Sequence, residues 1–209
     1  MTAERGRRAV RLVLASASPA RLATLRRAGF APEVVISGVD EDGVDAGSPA
    51  ATALELARRK AQAVAAAEEG AIVLGCDSVL EIDGQAYGKP GSARAASERW
   101  ALMRGRTGVL HTGHAVIDVR WGEARSAEAT ASTRVFFAAL SDAEIDAYVA
   151  TGEPLDVAGA FTVDGLGGSF IEGVEGDPHN VVGISLPLLR RLLAQLGVTV
   201  MELWSPDGR

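Results

Sequence analysis

The sequence predicts an α/β or layered α+β fold: a mixed, twisted sheet with flanking helices. Apolar runs of strand length alternate with helical segments that open on serine or Ser-Pro and stop at glycine. Two of the strand regions are joined by tight turns rather than by helical crossovers, which makes the sheet mixed rather than doubly wound. There is no repeat period and no long linker.

The elements follow in order. "VRLVLASASPARLATLRRAG" predicts a buried strand ending near Ala15 and a helix capped by Ser18, with Pro19 at its first position. Leu22, Leu25 and Ala28 form its inner face, and Gly29 stops it. "FAPEVVISGVDEDGVDAG" reads as a short strand and an acidic loop. A second Ser-Pro start at Ser48 and Pro49 opens a helix expected to reach Gly70. "AIVLGCDSVLEIDGQAYGKP" predicts a strand, a break, and a hairpin turned by Asp83 and Gly84. Ser92 caps a third helix, packed through Ala96, Trp100 and Met103 and ended by Gly105. Two long strands, at about 109 to 121 and 124 to 137, meet at Gly122. "SDAE" at 141 to 144 is a capping box for a short helix ending near Gly152. The eight glycines from Gly152 to Gly183 predict loops and short strands whose backbone approaches something closely. A last helix puts Leu189, Leu192, Leu193 and Leu196 on one face and stops at Gly197.

A chain of 209 residues with 47% apolar residues buries a sizeable core and fits one domain, taken as 1 to 209. The net charge of −6 opposes a general nucleic-acid binder and an anionic membrane surface. One cysteine, Cys76, allows no intrachain disulfide and no multi-cysteine zinc site. No apolar run approaches the roughly 18 to 20 residues of a membrane span. The chain therefore reads as cytoplasmic. The basic start "MTAERGRRAVR" lacks the apolar region of a secretory signal, and residues 1 to 9 are expected to be frayed.

Several residues stand out chemically. Arg21 occupies position N3 of the first helix, where the dipole and the unpaired N–H groups disfavour a cation unless an anion joins it. With Ser16 and Ser18 it forms the donor set of a phosphate site; the alternative is an ordinary capped helix with Arg21 in solvent or on a loop carboxylate. Lys60 shares a helical face with Ala53, Leu56, Ala57 and Val64, so it either snorkels or points into a cleft. Asp77 interrupts an interior strand pattern. It is a metal ligand or general base, or else it bonds local amides in a turn at Gly75 to Ser78. Lys89 follows the hairpin, and the loop with Asp40, Glu41, Asp42 and Asp45 is either solvated or supplies a second carboxylate beside Asp77. His111, His114 and His179 have no metal-ligand spacing and receive no role, and Cys76 is read as a small buried residue.

"LASASPAR", "VDE", "ARRKA", "GCDSVL", "GKP", "HTGHAV" and the glycine-rich block ending "HNVVGISLPLL" occur in the order and near the spacing of the Maf family of nucleoside triphosphate pyrophosphatases. The chain resembles that family from about Leu12 to Leu193. The resemblance implies a two-lobed α/β fold around a cleft, related to the inosine triphosphate pyrophosphatases and often homodimeric. It implies cleavage between the α- and β-phosphates, giving a monophosphate and pyrophosphate, with a divalent cation such as magnesium, manganese or cobalt. By motif, it places Ser16, Ser18, Arg21, Lys60 and Lys89 on the phosphates and Glu41 and Asp77 on the metal, with Asp77 also the proton acceptor.

Three positions depart from the better-known branches. Where the thymidine and uridine triphosphate branch has Arg and the 7-methylguanosine triphosphate branch has Trp, this chain has Ala20. Ser78 replaces Thr or Gln, and Asp164 replaces Gln or Glu. The resemblance puts these three near the base, so no base preference carries over; Asp164 suits an amino or imino donor, or bonds loop amides. A rival expectation is a nucleotide-binding regulator tied to septum formation that signals without hydrolysis. It has no need of a general base.

Overall fold

The computed structural model describes residues 10–205, so the expectation for residues 1 to 9 lies outside the described part. Strand β1 (Arg11–Ala15) runs through Ser18 into helix α1 (Pro19–Arg27), and β2 (Glu33–Val34) follows. Helix α2 (Pro49–Ala65) precedes the long β3 (Ala71–Ile82), the short β4 (Gln85–Tyr87) and α3 (Ala93–Met103). Then come β5 (Thr107–Asp118), β6 (Arg125–Phe137), α4 (Asp142–Ala150), β7 (Ile171–Glu175), α5 (Pro178–Val182) and α6 (Leu186–Gln195). The seven strands form one mixed sheet in the order β2-β1-β3-β5-β6-β7, with β4 beside β3. β1 is parallel to β2 and β3, and the other pairs are antiparallel. Among the described residues no helix is long and apolar enough to cross a membrane.

The expected caps hold: the Ser18, Ser48 and Ser92 hydroxyls accept from the N3 amides of their helices, and Ser141 with Glu144 closes a capping box. Four expectations change. β3 is unbroken, so the break near Asp77 is absent and the turn at Gly75 to Ser78 is overturned. α2 ends at Ala65 rather than Gly70, because i→i−3 bonds from Ala67 and Glu68 tighten its last turn. The hairpin strands are shorter at the turn than expected, because Asp118 collects Arg120 and Arg125 at 2.6 to 3.1 Å and draws the chain out of the ladder. The glycine-rich stretch holds three 3₁₀ turns, β7 and a short helix, α5, which Asp177 caps ahead of Pro178.

Core side chains sort by strand parity. Leu12, Leu14, Ile72, Leu74 and Val116 meet α1 and α6 on one sheet face, while Val13, Ala15, Val73 and Ala115 meet α2 on the other. Farther along β3 and β5, Leu80, Ile82 and Leu110 pack with a cluster around Trp100 of α3, which Phe137, Tyr148 and Phe170 approach edge-on.

One feature of the register creates a site. β1 pairs with β3 over residues 71 to 75, and β4 pairs with the same edge only over residues 80 to 82. Between these partners the edge of β3 from Cys76 to Val79 is open, and there β1 turns into α1 and the chain after β4 brings Lys89.

Candidate active site

Asp77 and Ser78 sit in that notch. Consecutive strand residues point to opposite faces, so the notch exposes two different chemistries.

On the α2 face, Gly75 and Gly113 decide how close the helix lies. A Cβ on Gly75 would come within 2.3 Å of the Ala57 carbonyl oxygen, and one on Gly113 within 2.3 Å of the Ala53 carbonyl oxygen. With no side chain at either, α2 rests on the sheet and Lys60 reaches Asp77. The Lys60 Nζ donates to Asp77 Oδ1 at 2.6 Å and lies 2.5 Å from Glu41 Oε1. Lys60 and Asp77 are each 7% exposed, so the snorkelling alternative for Lys60 is overturned. The pairing with the Lys60 ammonium is what permits a carboxylate inside β3. Among the described residues no hydrogen bond engages Asp77 Oδ2. Burial raises the Asp77 carboxyl above its ordinary value against the opposing charges of Lys60 and Arg21. Burial also pushes Glu41 upward, but the Lys60 hydrogen bond and the charges of Lys60, Lys89 and Arg21 outweigh it and hold Glu41 below the usual range. Lys89 is exposed and acts here through its charge.

The opposite face holds Arg21, 8% exposed. Its Nε donates to the Gly183 carbonyl at 2.8 Å, and its terminal nitrogens donate to Ser16 Oγ and Ser78 Oγ, each at 3.0 Å. All three acceptors are neutral. Among the described residues no carboxylate lies within ion-pair distance of Arg21, so both the solvent and the loop-carboxylate alternatives are overturned. Ser16 Oγ also accepts from the Ser18 amide at 3.2 Å, which leaves its own O–H free to donate. Of five guanidinium N–H groups, two remain uncommitted. Ser18 caps α1 through the Arg21 amide at 3.4 Å, and Ala20 sits half-buried beside it.

Asp164 lies apart from this set, 3.8 Å from Arg27, and among the described residues it accepts from no loop amide. It lines an open cavity of about 470 Å³ with Thr24, Arg27, His179, Val182 and Leu186. Val182, in its wall, precedes Gly183, the residue whose carbonyl holds Arg21. Its loop is built on Glu153, whose carboxylate accepts from Tyr148, Thr162 and the amides of Leu166 and Gly167 at 2.6 to 2.9 Å.

Sequence reasoning missed Glu153, Thr112 and Asn180. Glu153 carried a faint signal, an acid directly ahead of a glycine-rich loop that needs acceptors. Thr112 and Asn180 carried none, since their partners are 34 to 70 residues away. The histidines stay outside the notch set. His114 is buried and neutral, its Nδ1 donating to the Thr112 carbonyl while Nε2 accepts from the Ser185 amide at 2.8 Å. His111 bridges Glu81 and Ser132 at 2.8 Å each. Cys76 is fully buried, which pushes its thiol up to about 12 and leaves it inert.

At the notch, Glu41 and Asp77 are the carboxylates within reach of each other through Lys60 that a divalent cation could use. Their oxygens already converge on one cation, the Lys60 ammonium, and no group of three or more His, Cys, Asp or Glu suited to a metal occurs among the described residues. Two carboxylates fit an ion of the magnesium type, which takes one or two protein carboxylates and completes its shell with water and phosphate.

The profile of the Maf-like protein family matches residues 11–196. A nucleoside triphosphate pyrophosphatase of Streptomyces coelicolor is 61% identical over 198 residues, covering 94% of this chain and 95% of its own. One from Salinispora tropica is 60% identical over 201 residues, covering 94% and 88%. One from Streptomyces avermitilis is 59% identical over 198 residues, covering 94% and 95%. With a profile spanning nearly the whole chain and relatives matched almost end to end, the chain belongs to the Maf family.

Proposed function

We propose that this chain is a nucleoside triphosphate pyrophosphatase in which water attacks the α-phosphorus. One observation carries the placement of the substrate: a buried guanidinium with no carboxylate within ion-pair distance among the described residues, across the sheet edge from a Lys60 clamped between two carboxylates. A buried unpaired cation costs several kcal/mol. A triphosphate removes that cost, and the two uncommitted N–H groups of Arg21 suit a phosphate.

In this reading Ser16, Ser18, Arg21, Lys60 and Lys89 bind phosphate oxygens, and Lys60 releases Asp77 as it turns to them. Asp77 then takes a proton from the attacking water. The new bond joins water oxygen to the α-phosphorus, the bond to the β-bridging oxygen breaks, and pyrophosphate leaves. A divalent ion held by Glu41 and Asp77, of the magnesium, manganese or cobalt kind, supplies charge neutralisation on the phosphates. Holding and neutralising the triphosphate is most of the catalysis, because phosphoryl transfer builds little new covalent structure at the transition state.

We read residues 1–209 as one functional unit. The notch is taken as the base of a cleft between two lobes, one around Leu14 and Leu189, the other around Trp100, in the manner of the inosine triphosphate pyrophosphatases. Ala20, Ser78 and Asp164 border the base, with Asp164 accepting from its amino or imino group.

The test is a panel of common and modified nucleoside triphosphates with each of the three metals, read by monophosphate and pyrophosphate release. Turnover of at least one triphosphate, lost in Asp77→Asn, is expected. Tight triphosphate binding with no turnover by the wild type would instead favour the regulatory reading.

A further inference from the structure

Ser78 holds one arm of Arg21, and its own proton has a single destination. Its Oγ lies 3.0 Å from Thr112 Oγ1, an arrangement in which either atom is able to donate. Thr112 has one hydroxyl hydrogen, and it is given to the Asn180 carbonyl at 3.2 Å. Donation therefore runs one way: Arg21 N–H to Ser78, Ser78 O–H to Thr112, Thr112 O–H to Asn180.

The receiving end is rigid. Asn180 is fully buried, and its amide nitrogen bridges two strands by donating to the Leu110 carbonyl at 3.0 Å, the Ala131 carbonyl at 3.4 Å and Thr133 Oγ1 at 3.1 Å. The same Asn180 carbonyl accepts the Gly183 amide at 3.0 Å. Gly183 in turn presents its carbonyl to Arg21 Nε, and its φ of +114° suits only glycine. Two of the three guanidinium contacts thus return to one anchored carbonyl, by way of Ser78 and Thr112 and by way of Gly183, while the third goes to Ser16.

We propose that Thr112 is a positioning residue for Arg21: its hydroxyl fixes the donor direction of Ser78 and so aims the guanidinium at the substrate. The inference rests on the reading of Arg21 as a phosphate-binding group. Without the Thr112 hydroxyl, the Ser78 proton is free to rotate, Ser78 no longer presents a fixed acceptor to Arg21, and the aim of the buried cation loosens.

A double-mutant cycle in the full chain tests this, with pyrophosphate release as the readout and thermal unfolding as the control for folding. Thr112→Val keeps the shape of the side chain and removes the hydroxyl. It is expected to lower kcat/KM about tenfold, by misplacing a group that must be aligned. Thr112→Ser restores the hydroxyl and is expected to stay within about twofold of wild type. In an Arg21→Ala background, Thr112→Val is expected to change kcat/KM by less than about twofold, because nothing is left to aim. An equal loss in both backgrounds, or no loss in either, overturns the proposal. If Arg21→Ala alone leaves kcat/KM unchanged, the phosphate-binding reading of Arg21 falls first, and the positioning role falls with it.

Discussion

The two faces of β3 at the notch treat buried charge in opposite ways. On the α2 face, a lysine is held between two carboxylates, so positive and negative groups are matched within the protein. On the other face, an arginine is held by a carbonyl and two hydroxyls, which orient it without a direct ion pair among the described residues. The first arrangement is nearly self-sufficient. Under the proposed function it opens as substrate enters, and the second is completed by a phosphate. A site that binds a polyanion and also moves a proton needs both kinds, a poised acid-base group and a fixed cation.

The largest expected effect tests the proton on the matched face. Asp77→Asn keeps the shape and removes the base, so pyrophosphate release is expected to fall by about 10³-fold, within the usual contribution of general-base catalysis, with the fold retained. Activity within twofold of wild type would separate the charge pair from the chemistry.

Stability measurements in urea compare the faces directly. Lys60→Met strands two carboxylates, one of them buried, and is expected to destabilise the chain by about 3 kcal/mol. Arg21→Met strands no charge and is expected to cost only about 1 kcal/mol while still removing most activity. A reversed order would mean that Arg21 has a counter-charge after all.

A third test uses pH. His114 lies on the Arg21 face, and burial, with the Arg21 charge adding to it, lowers its pKa to about 4 from 6.5. Above 6.5 the ring is neutral in both folded and unfolded chains, and its full contribution is present. Between about 6.5 and about 4 only the unfolded chain takes up the proton, so stability is lost by up to about 3 kcal/mol and then levels off. His114→Gln is expected to flatten that part of the curve; an unchanged pH profile would show that another group carries it.

The last test concerns the close approach of α2. Gly113→Ala places a methyl against the Ala53 carbonyl and is expected to destabilise by about 2 kcal/mol, with a drop in activity as Lys60 withdraws from Asp77. Equal stability with lost activity would show that α2 shifts freely and only the pairing matters.

Much of this was legible in the chain. The wrong-signed Arg21 at a helix start, Lys60 on an apolar helical face and Asp77 in an apolar run are each local contradictions, and the structure brings all three to one notch. The caps at Ser18, Ser48, Ser92 and Ser141 were equally plain, because capping depends on neighbours within four residues. The break expected at Asp77 shows the limit. A carboxylate in a strand reads as an interruption until its lysine is seen, and that lysine is 17 residues away on a helix.

By itself the sequence determined the mixed α/β character, the helix starts and which charged residues were out of place, since these follow from short-range periodicity, capping and the cost of burying a charge. Only the tertiary structure decided how those charges are satisfied. The register that leaves β3 open between β1 and β4, the glycines that admit α2, and the Thr112 and Asn180 bonds that tie α5 to β5 and β6 all join distant segments. Hydrogen-bond direction and close packing are properties of the assembled sheet, and no local stretch of chain encodes them.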